Sequence, residues 1–178
     1  MQQNEPKKAA FLDRDGTLIE EVNFLSRVED LRIYPYSYEA VRLLKDAGWL
    51  VIVVTNQSGI GRGVFEESTM HEIHDAIQTQ MDNMIDAFYF CPHLPCDGCT
   101  CRKPYRGMLD AAMADFSINL PGSWMIGDKK IDVETGKNAG ISSAMVLTGY
   151  GRVHSQDREL KPDVLAENLL VAVREALR

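Results

Sequence analysis

The chain has no long hydrophobic run, no excess of basic residues and few cysteines, and each absence excludes a class of protein. No apolar stretch approaches the roughly 18 residues of a membrane-spanning helix, and the first residues, MQQNEPKK, lack the apolar region of a signal peptide. A net charge of -7 argues against general nucleic-acid binding, which usually leaves a basic surface. We therefore expect a cytoplasmic protein with neither a membrane nor a nucleic-acid partner.

Cysteine is scarce but concentrated in one segment. All 4 cysteines lie between Cys91 and Cys101, and His93 lies among them. Disulfides of a secreted protein would be scattered, whereas a tight cluster in a cytosolic protein indicates a metal. A redox pair fits less well, because no Cys-x-x-Cys begins a helix here. With more soft ligands than the four that zinc needs, the sequence predicts a zinc-binding loop at residues 91–101.

Apolar strand patterns alternate with helical ones along the chain. A length of 178 residues suits a single domain, which we expect to span residues 1–178. Strands are predicted before Asp13, in WLVIVV, at 87–90, in SWMI and in SSAMVLT; helices are predicted at 38–47, 66–84, 108–116, 133–138 and 168–177. This alternation predicts an α/β fold with a doubly wound parallel sheet. The polar and aromatic stretch 20–36 is expected to form a loop or a small flap over the site.

The stretch FLDRDGTL places two carboxylates at the end of the first strand. Asp13 and Asp15 stand two residues apart, so in an extended segment they face the same way. Two such carboxylates repel each other unless a cation lies between them, and Mg²⁺ is the natural hard ion for oxygen ligands. An aspartate can also attack phosphorus and carry the phosphoryl group. An Asp-x-Asp-Gly turn or part of a calcium loop would explain the same residues.

Further polar residues follow the later strands. Thr55 and Asn56 end WLVIVV, Lys103 lies in CRKP, and Asp128 lies in GDKKID after SWMI. In a doubly wound sheet, ligands bind beyond the carboxyl ends of the strands, where these residues are expected to meet. Taken singly, they could be a capping threonine, a solvated lysine and a helix N-cap.

Together, FLDRDGTL, TNQSG, CRKP and GDKKID resemble, in order, the four motifs of the haloacid dehalogenase (HAD) superfamily of aspartate-nucleophile phosphatases. The resemblance implies a HAD-like Rossmannoid fold with a minimal cap. It assigns Asp13 as nucleophile, Asp15 as acid and base, and Thr55 and Lys103 to the transferred phosphoryl group. It implies that Mg²⁺ is held by Asp13, the Asp15 carbonyl and Asp128, with Lys129 and Asp132 around them.

The cysteine segment resembles one subgroup of that superfamily, which has Cys-x-His and a later Cys-x-Cys-Arg-Lys-Pro. The match assigns Cys91, His93, Cys99 and Cys101 to a structural Zn²⁺ and leaves Cys96 spare. The subgroup comprises the D-glycero-D-manno-heptose 1,7-bisphosphate phosphatases and the histidinol-phosphate phosphatases. TNQSGIGRG and CRKPYRGML favour the heptose enzymes, which act in the biosynthesis of lipopolysaccharide and related glycans. The compact loop beginning CPHLP resembles the histidinol-phosphate branch.

Charge also favours a bisphosphate cleaved at carbon 7. A phosphate far from the reacting centre needs its own cations, and the basic residues near the motifs are Arg62, Arg102 and Arg106. The same arginines would repel the cationic end of histidinol phosphate. Other candidate substrate contacts are Asn56, Glu21 and Asn23, although 21–24 departs from the Asp-His-Gly-Tyr of some heptose enzymes. We expect a monomer that binds a small phosphorylated sugar; a non-catalytic phospho-sugar-binding protein is the alternative.

Overall fold

The computed structural model describes residues 5–178, and these are built around a six-stranded parallel sheet. The strands are β1 (Ala9–Leu12), β2 (Leu50–Asn56), β3 (Ala87–Cys91), β4 (Trp124–Gly127), β5 (Ser142–Val146) and β6 (Val164–Ala166). Their order across the sheet is β3-β2-β1-β4-β5-β6, and every pairing is parallel. The chain therefore builds outward from β1 in one direction and then in the other, which confirms the predicted doubly wound sheet.

Helices cover both faces of this sheet. They are α1 (Ser37–Asp46), α2 (Ser58–Gly61), α3 (Glu67–Gln80), α4 (Gly107–Asp115), α5 (Lys130–Ala139), α6 (Gly151–His154) and α7 (Leu169–Ala176). Apolar residues of α1, α3 and α7 form one core, and those of α4 and the end of α5 form the other. Across residues 5–178, no helix combines the length and apolarity needed to cross a membrane.

The first strand shows why the sheet is buried on both sides. Ala9 and Phe11 pack into one core, while Ala10 and Leu12 pack into the other, as the alternation of strand side chains requires. Continuous apolar runs such as those of β1 and β2 are typical of strands covered on both faces. The structure thus confirms the strand predicted before Asp13 and places it between β2 and β4, with both faces buried.

Two features at the chain's periphery differ from the sequence prediction. Helix α3 ends at Gln80 rather than near Met84, because Asp82 and Asn83 adopt left-handed backbone angles, with φ of 49° and 57°. Aspartate and asparagine tolerate that conformation better than most residues, and it stops a helix. Strand β6 and the short helices α2 and α6 were not predicted; β6 is an edge strand in which only Ala166 is buried.

The segment between β1 and α1 forms the expected small flap. A single antiparallel bridge, between Ile19 and Ile33, brings its two ends together, and a short 3-10 helix occupies Val28–Asp30. Leu25 and Leu31 anchor it in the core, whereas Phe24 is exposed. The flap therefore closes one side of the sheet edge without adding a second domain-sized cap.

Candidate active site and metal centres

The polar residues predicted from the four motifs gather at one edge of the sheet. Asp13 directly follows β1, Thr55 lies at the end of β2, and Asp128 directly follows β4. Lys103 reaches the same place from the loop before α4. None of these four residues is more than 4% exposed. Buried polar groups are unfavourable unless they are partnered, so their contacts determine what the edge can do.

Lys103 is the central cation of this cluster. Its Nζ donates to Asp13 Oδ1 at 2.8 Å, to Asp132 Oδ1 at 2.6 Å and to the Val54 carbonyl at 2.9 Å. Although burial alone would lower the pKa of Lys103, the two carboxylates raise it above its usual value. Burial likewise opposes ionisation of Asp13, but the neighbouring Lys103 and Lys129 hold its pKa below the usual value. Asp13 is therefore an ionised carboxylate beside a fixed ammonium group.

Asp128 carries the unsatisfied atom of the site. Its Oδ2 accepts the Tyr150 backbone N–H at 2.8 Å, but its buried Oδ1 has no hydrogen-bond partner among residues 5–178, and Lys129 Nζ lies 3.9 Å from it. Burial and the nearby Asp13 charge raise the pKa of Asp128 to about 8. Such a group is stabilised as a carboxylate only when a cation faces it.

The carboxylates leave room for one hard cation. Oxygens of Asp13, Asp128 and Asp132 lie within 4.8 Å of one another. Lys103 occupies Asp132 Oδ1, and the Lys129 backbone N–H donates to Asp132 Oδ2 at 2.9 Å. Asp13 and Asp128 therefore remain as the carboxylates able to bind an ion, and a set of oxygen donors fits Mg²⁺.

Two glycines allow Asp128 to occupy this position. Gly16 and Gly149 have left-handed backbone angles, with φ of 85° and 51°, and a Cβ atom at either would collide with Asp128 Oδ2. The hydroxyl of Thr148 donates to the Gly16 carbonyl at 2.6 Å, which joins the two turns. Glycine is required here both for the backbone angle and for the close approach.

Asp15 and Thr55 are joined by a residue that the sequence analysis did not select, Gln57. Its Nε2 donates to Asp15 Oδ2 at 2.9 Å and to Thr55 Oγ1 at 2.8 Å. Arg14 holds the same carboxylate through Nε and Nη2, both at 3.0 Å. Because Thr55 Oγ1 accepts from Gln57, its own hydrogen can be donated to another acceptor.

A cleft of about 320 Å³ opens beside Asp15. Its lining includes the predicted residues Glu21, Asn23, Asn56 and Arg102, together with Phe24, Lys129 and Tyr150. Lys129 Nζ lies 2.9 Å from Glu21 Oε2 and 5.0 Å from the centre of the Tyr150 ring. Burial disfavours its charge, but Asp13, Asp128 and Glu21 raise the pKa of Lys129 well above its usual value. The cleft wall is thus permanently cationic at Lys129.

The three predicted arginines occupy different environments. Arg102 lines the cleft and donates from Nη1 to the His93 carbonyl at 3.1 Å. Arg62 lies outside the cleft lining, with its guanidinium 5.9 Å from the centre of the Phe24 ring. Arg106 also lies outside it and pairs with Asp110, one turn further along α4, at 2.8 Å. The structure therefore brings one of the three to the cleft.

Asn56 has a structural partner in addition to its place at the cleft. Its Oδ1 accepts the Lys103 backbone N–H at 3.0 Å, and its Nδ2 donates to the Lys103 carbonyl at 3.2 Å. This two-bond pairing fixes the backbone of Lys103 against the end of β2. Sequence spacing gave no indication of it, because the two residues are 47 positions apart.

The predicted zinc ligands also converge. The sulfurs of Cys91, Cys99 and Cys101 and one ring nitrogen of His93 all lie within 4.8 Å of one another. The Sγ atoms of Cys91 and Cys101 are 3.0 Å apart, and His93 Nδ1 is 3.2 Å from Cys101 Sγ. Cys96 stands apart, exposed and in contact with Asp97. The four converging ligands have the chemistry of a closed, four-coordinate zinc site.

Comparison with known proteins agrees with this geometry. A family model described as HAD-hydrolase-like matches residues 100–172. The D-glycero-D-manno-heptose-1,7-bisphosphate 7-phosphatase of Thermosynechococcus vestitus is 40% identical over 94% of this chain and 94% of its own length. The corresponding β-heptose enzyme of Haemophilus ducreyi is 35% identical, with 92% and 95% covered. The chain belongs to the family of HAD-like heptose-bisphosphate phosphatases.

A solved structure of this family supports the same assignment. The D,D-heptose 1,7-bisphosphate phosphatase of B. bronchiseptica, complexed with magnesium and phosphate, superposes with a TM-score of 0.88 at 33% identity, covering 96% of this chain and 98% of that one. The predicted membership of the HAD superfamily and the assignment as a phosphomonoester hydrolase are therefore confirmed. The relatives also favour the heptose branch over the histidinol-phosphate branch.

Sequence reasoning missed several residues that hold this HAD-like site together. Arg14 and Gln57 orient Asp15, Thr148 and Gly149 support Asp128, and Tyr150 forms part of the cleft wall. Arg14 and Gln57 lie inside the motifs DRDGT and TNQSG and could have been selected from their position there. The segment 148–150 lies in none of the four motifs. It reaches Asp128 because β5 pairs with β4 and the two strands end side by side.

Proposed function

We propose that the chain is a Mg²⁺-dependent phosphatase that removes the 7-phosphate of D-glycero-D-manno-heptose 1,7-bisphosphate. The observation that carries the proposal is the Asp13 carboxylate, fixed by Lys103 and within 4.8 Å of Asp128, whose buried Oδ1 has no hydrogen-bond partner in the described part of the chain. A nucleophile held beside a cation site at a strand end suits attack on phosphorus. The identity of the sugar substrate is inferred from the names of the relatives.

In this proposal, Asp13 is the nucleophile and Asp15 the acid and base. A carboxylate oxygen of Asp13 attacks phosphorus while the bond from phosphorus to the substrate oxygen breaks, and Asp15 gives its proton to that oxygen. Asp15 then takes a proton from water, whose oxygen attacks the phosphorus bound to Asp13 and releases phosphate. Thr55 and Lys103 donate hydrogen bonds to the phosphoryl oxygens as their negative charge redistributes.

The donor set indicates where Mg²⁺ would be held. We assign it to Asp13, Asp128 and the carbonyl of Asp15, with Asp132 and Lys129 around these ligands. When bound, Mg²⁺ neutralises charge on the phosphoryl group and orients it. Lys103 keeps Asp13 ionised and in place, and the Tyr150 backbone N–H binds Asp128 Oδ2, which leaves Oδ1 to hold the ion.

Substrate selection is assigned to the cationic side of the cleft. Its positive groups are Arg14, which is paired with Asp15, and Arg102 and Lys129, which are placed to attract the phosphate that is not cleaved. Arg102 is the better ligand, because its planar fork suits phosphate and Lys129 is already paired with Glu21. Asn23 and Asn56 are assigned to sugar hydroxyl groups. Histidinol phosphate would bring a cation to a wall that repels it.

A structural zinc ion is assigned to Cys91, His93, Cys99 and Cys101. The loop that these ligands close leads directly into Arg102 and Lys103, and Arg102 is tied back to it through the His93 carbonyl. Zinc therefore fixes the segment that carries one cation to the cleft and another to the nucleophile.

The decisive experiment compares catalytic efficiency on heptose 1,7-bisphosphate and on histidinol phosphate in Mg²⁺. We expect the bisphosphate to be preferred by at least tenfold, about 1.4 kcal/mol in transition-state free energy. Asp13→Asn should abolish turnover with fold and zinc content intact, and Asp15→Asn should slow it by roughly 10²–10⁴-fold. A preference for histidinol phosphate would contradict the substrate assignment, and no phosphate release from any phosphomonoester would favour a non-catalytic binding protein.

A further inference from the structure

Two buried polar side chains, Arg14 beside Asp15 and His74 beyond it, contact each other. Arg14 is 1% exposed, and His74, on α3, is 5% exposed. Burying a guanidinium group is strongly unfavourable unless its donors are partnered. The partners of Arg14 therefore indicate why the charge is kept there.

The guanidinium of Arg14 is held from two directions. Its Nε and Nη2 both donate to the Asp15 carboxylate, and its Nη1 lies 3.2 Å from Nε2 of His74. A guanidinium group has donors but no acceptor, so Nε2 of His74 must accept this bond. His74 is consequently a neutral imidazole with its proton on Nδ1. Burial and the Arg14 charge, with a smaller contribution from His71, lower the pKa of His74 to about 3.

The imidazole itself is rigidly placed. It stacks on Phe88 of β3, with ring centres 4.5 Å apart and planes inclined by 19°. Its neighbours on α3, Ile73 and Ile77, are fully buried in the core. A contact chain thus runs from the packed core through His74 and Arg14 to the carboxylate of Asp15.

We propose that His74 is a positioning residue for the acid and base of this phosphatase. By accepting from Nη1, it fixes the plane of the Arg14 guanidinium, whose other edge then holds both oxygens of Asp15 in place at the wall of the cleft. The inference rests on the proposed role of Asp15 and goes beyond it, because His74 contacts neither substrate nor metal ligands.

The effect should depend on the leaving group. A sugar alkoxide departs slowly unless Asp15 protonates it, whereas p-nitrophenolate departs without a proton. A loss of Asp15 orientation should therefore slow the first step on the bisphosphate and leave the first step on p-nitrophenyl phosphate, seen as a burst of p-nitrophenolate, nearly unchanged. Hydrolysis of phosphorylated Asp13, which needs Asp15 as base, should slow with either substrate. General destabilisation of the fold would slow the first step on both substrates alike.

The test compares His74→Leu, which removes the acceptor, with His74→Gln, which can present an amide oxygen in its place. His71→Leu is the matched control, since His71 lies on the same helix, is exposed, and contacts His74 and Phe90 without bonding Arg14. For His74→Leu we expect the rate of the first turnover on the bisphosphate, followed by rapid quench, to fall about 10- to 100-fold, a part of the full acid/base contribution. The rate of the p-nitrophenolate burst should change less than about threefold. His74→Gln should recover most of the loss.

A second measurement requires no substrate. In ¹⁵N-labelled protein, the Arg14 Nε–H resonance should be protected from exchange in the wild type and in His74→Gln, and should broaden or disappear in His74→Leu. An unchanged Arg14 signal in His74→Leu, or equal losses of the first-step rate on both substrates, overturns the proposal. Because the resonance reports on the contact between His74 and Arg14 and not on turnover, it tests this proposal even if the heptose bisphosphate is not the substrate.

Discussion

Replacing Lys103 by methionine should destabilise the folded protein as well as stop its chemistry. Methionine keeps the length and the apolar stem of lysine, so packing in the buried cluster is largely retained. The ammonium group is lost, and with it the hydrogen bonds to Asp13, to Asp132 and to the Val54 carbonyl, all between 2.6 and 2.9 Å. Two buried carboxylates then lose their shared counter-charge.

The magnitude follows from the burial of the three side chains. Lys103 and Asp132 are each 1% exposed at the side chain and Asp13 is 5% exposed, so water cannot replace the missing charge. Removing one partner from a buried ion pair costs about 3–5 kcal/mol, and we expect a loss in that range in the free energy of unfolding. Urea denaturation of zinc-containing protein without added Mg²⁺ measures it.

A surface pair provides the control for this experiment. Lys45 makes a bond to Asp86 of similar length, 2.6 Å, but both side chains are more than a fifth exposed. Lys45→Met should therefore cost no more than about 1 kcal/mol. Adding Asp132→Asn to Lys103→Met should recover part of the loss, because one uncompensated carboxylate becomes neutral. If Lys103→Met costs no more than Lys45→Met, the buried charge cluster described above is wrong.

Three further outcomes are expected. Purified protein should contain about one zinc per chain by elemental analysis, retained in Cys96→Ser and lost in Cys99→Ser; a folded, active protein without zinc would contradict this. Arg102→Ala should weaken catalytic efficiency on the bisphosphate by about 1.5–3 kcal/mol more than on a monophosphate, while Arg106→Ala should not discriminate, and equal effects would refute the assignment. Unfolded His74 binds a proton near pH 6.5 and the buried imidazole does not, so the free energy of unfolding should fall as pH falls. Between pH 7 and pH 5, urea titrations should show the wild type losing about 2 kcal/mol more than His74→Gln. Parallel losses would exclude a buried neutral histidine.

The fold and the positions of the motifs could be predicted because their signals are local. Leu50–Asn56 reads as a buried strand from its own residues, and polar residues at strand ends must meet in a parallel sheet. Gly48 follows α1 with a φ of 79°, the left-handed angle at which glycine commonly ends a helix. Such features need no knowledge of distant segments.

The remaining parts of the site depend on contacts that sequence spacing does not determine. Arg62 and Arg106 lie near the motifs in sequence, yet they lie outside the cleft, where Arg106 pairs within its own helix. His74 comes within reach of Arg14 because α3 packs its buried face against the sheet, and the two residues are 60 positions apart. Charge and proximity in sequence could suggest these residues as candidates, but only the packing of the helices determines what each side chain contacts.

The pairing of the Asn56 amide with the backbone of Lys103 has a consequence for how this loop can vary. The amide recognises a peptide N–H and a carbonyl, which every residue except proline offers, so it fixes a position and imposes almost no choice of side chain. At the other end, the loop begins at Cys91 in β3. Insertions or deletions among exposed residues such as Cys96 and Asp97 should leave both ends in place. The loop can therefore change length between relatives while Lys103 stays in its place beside the end of β2.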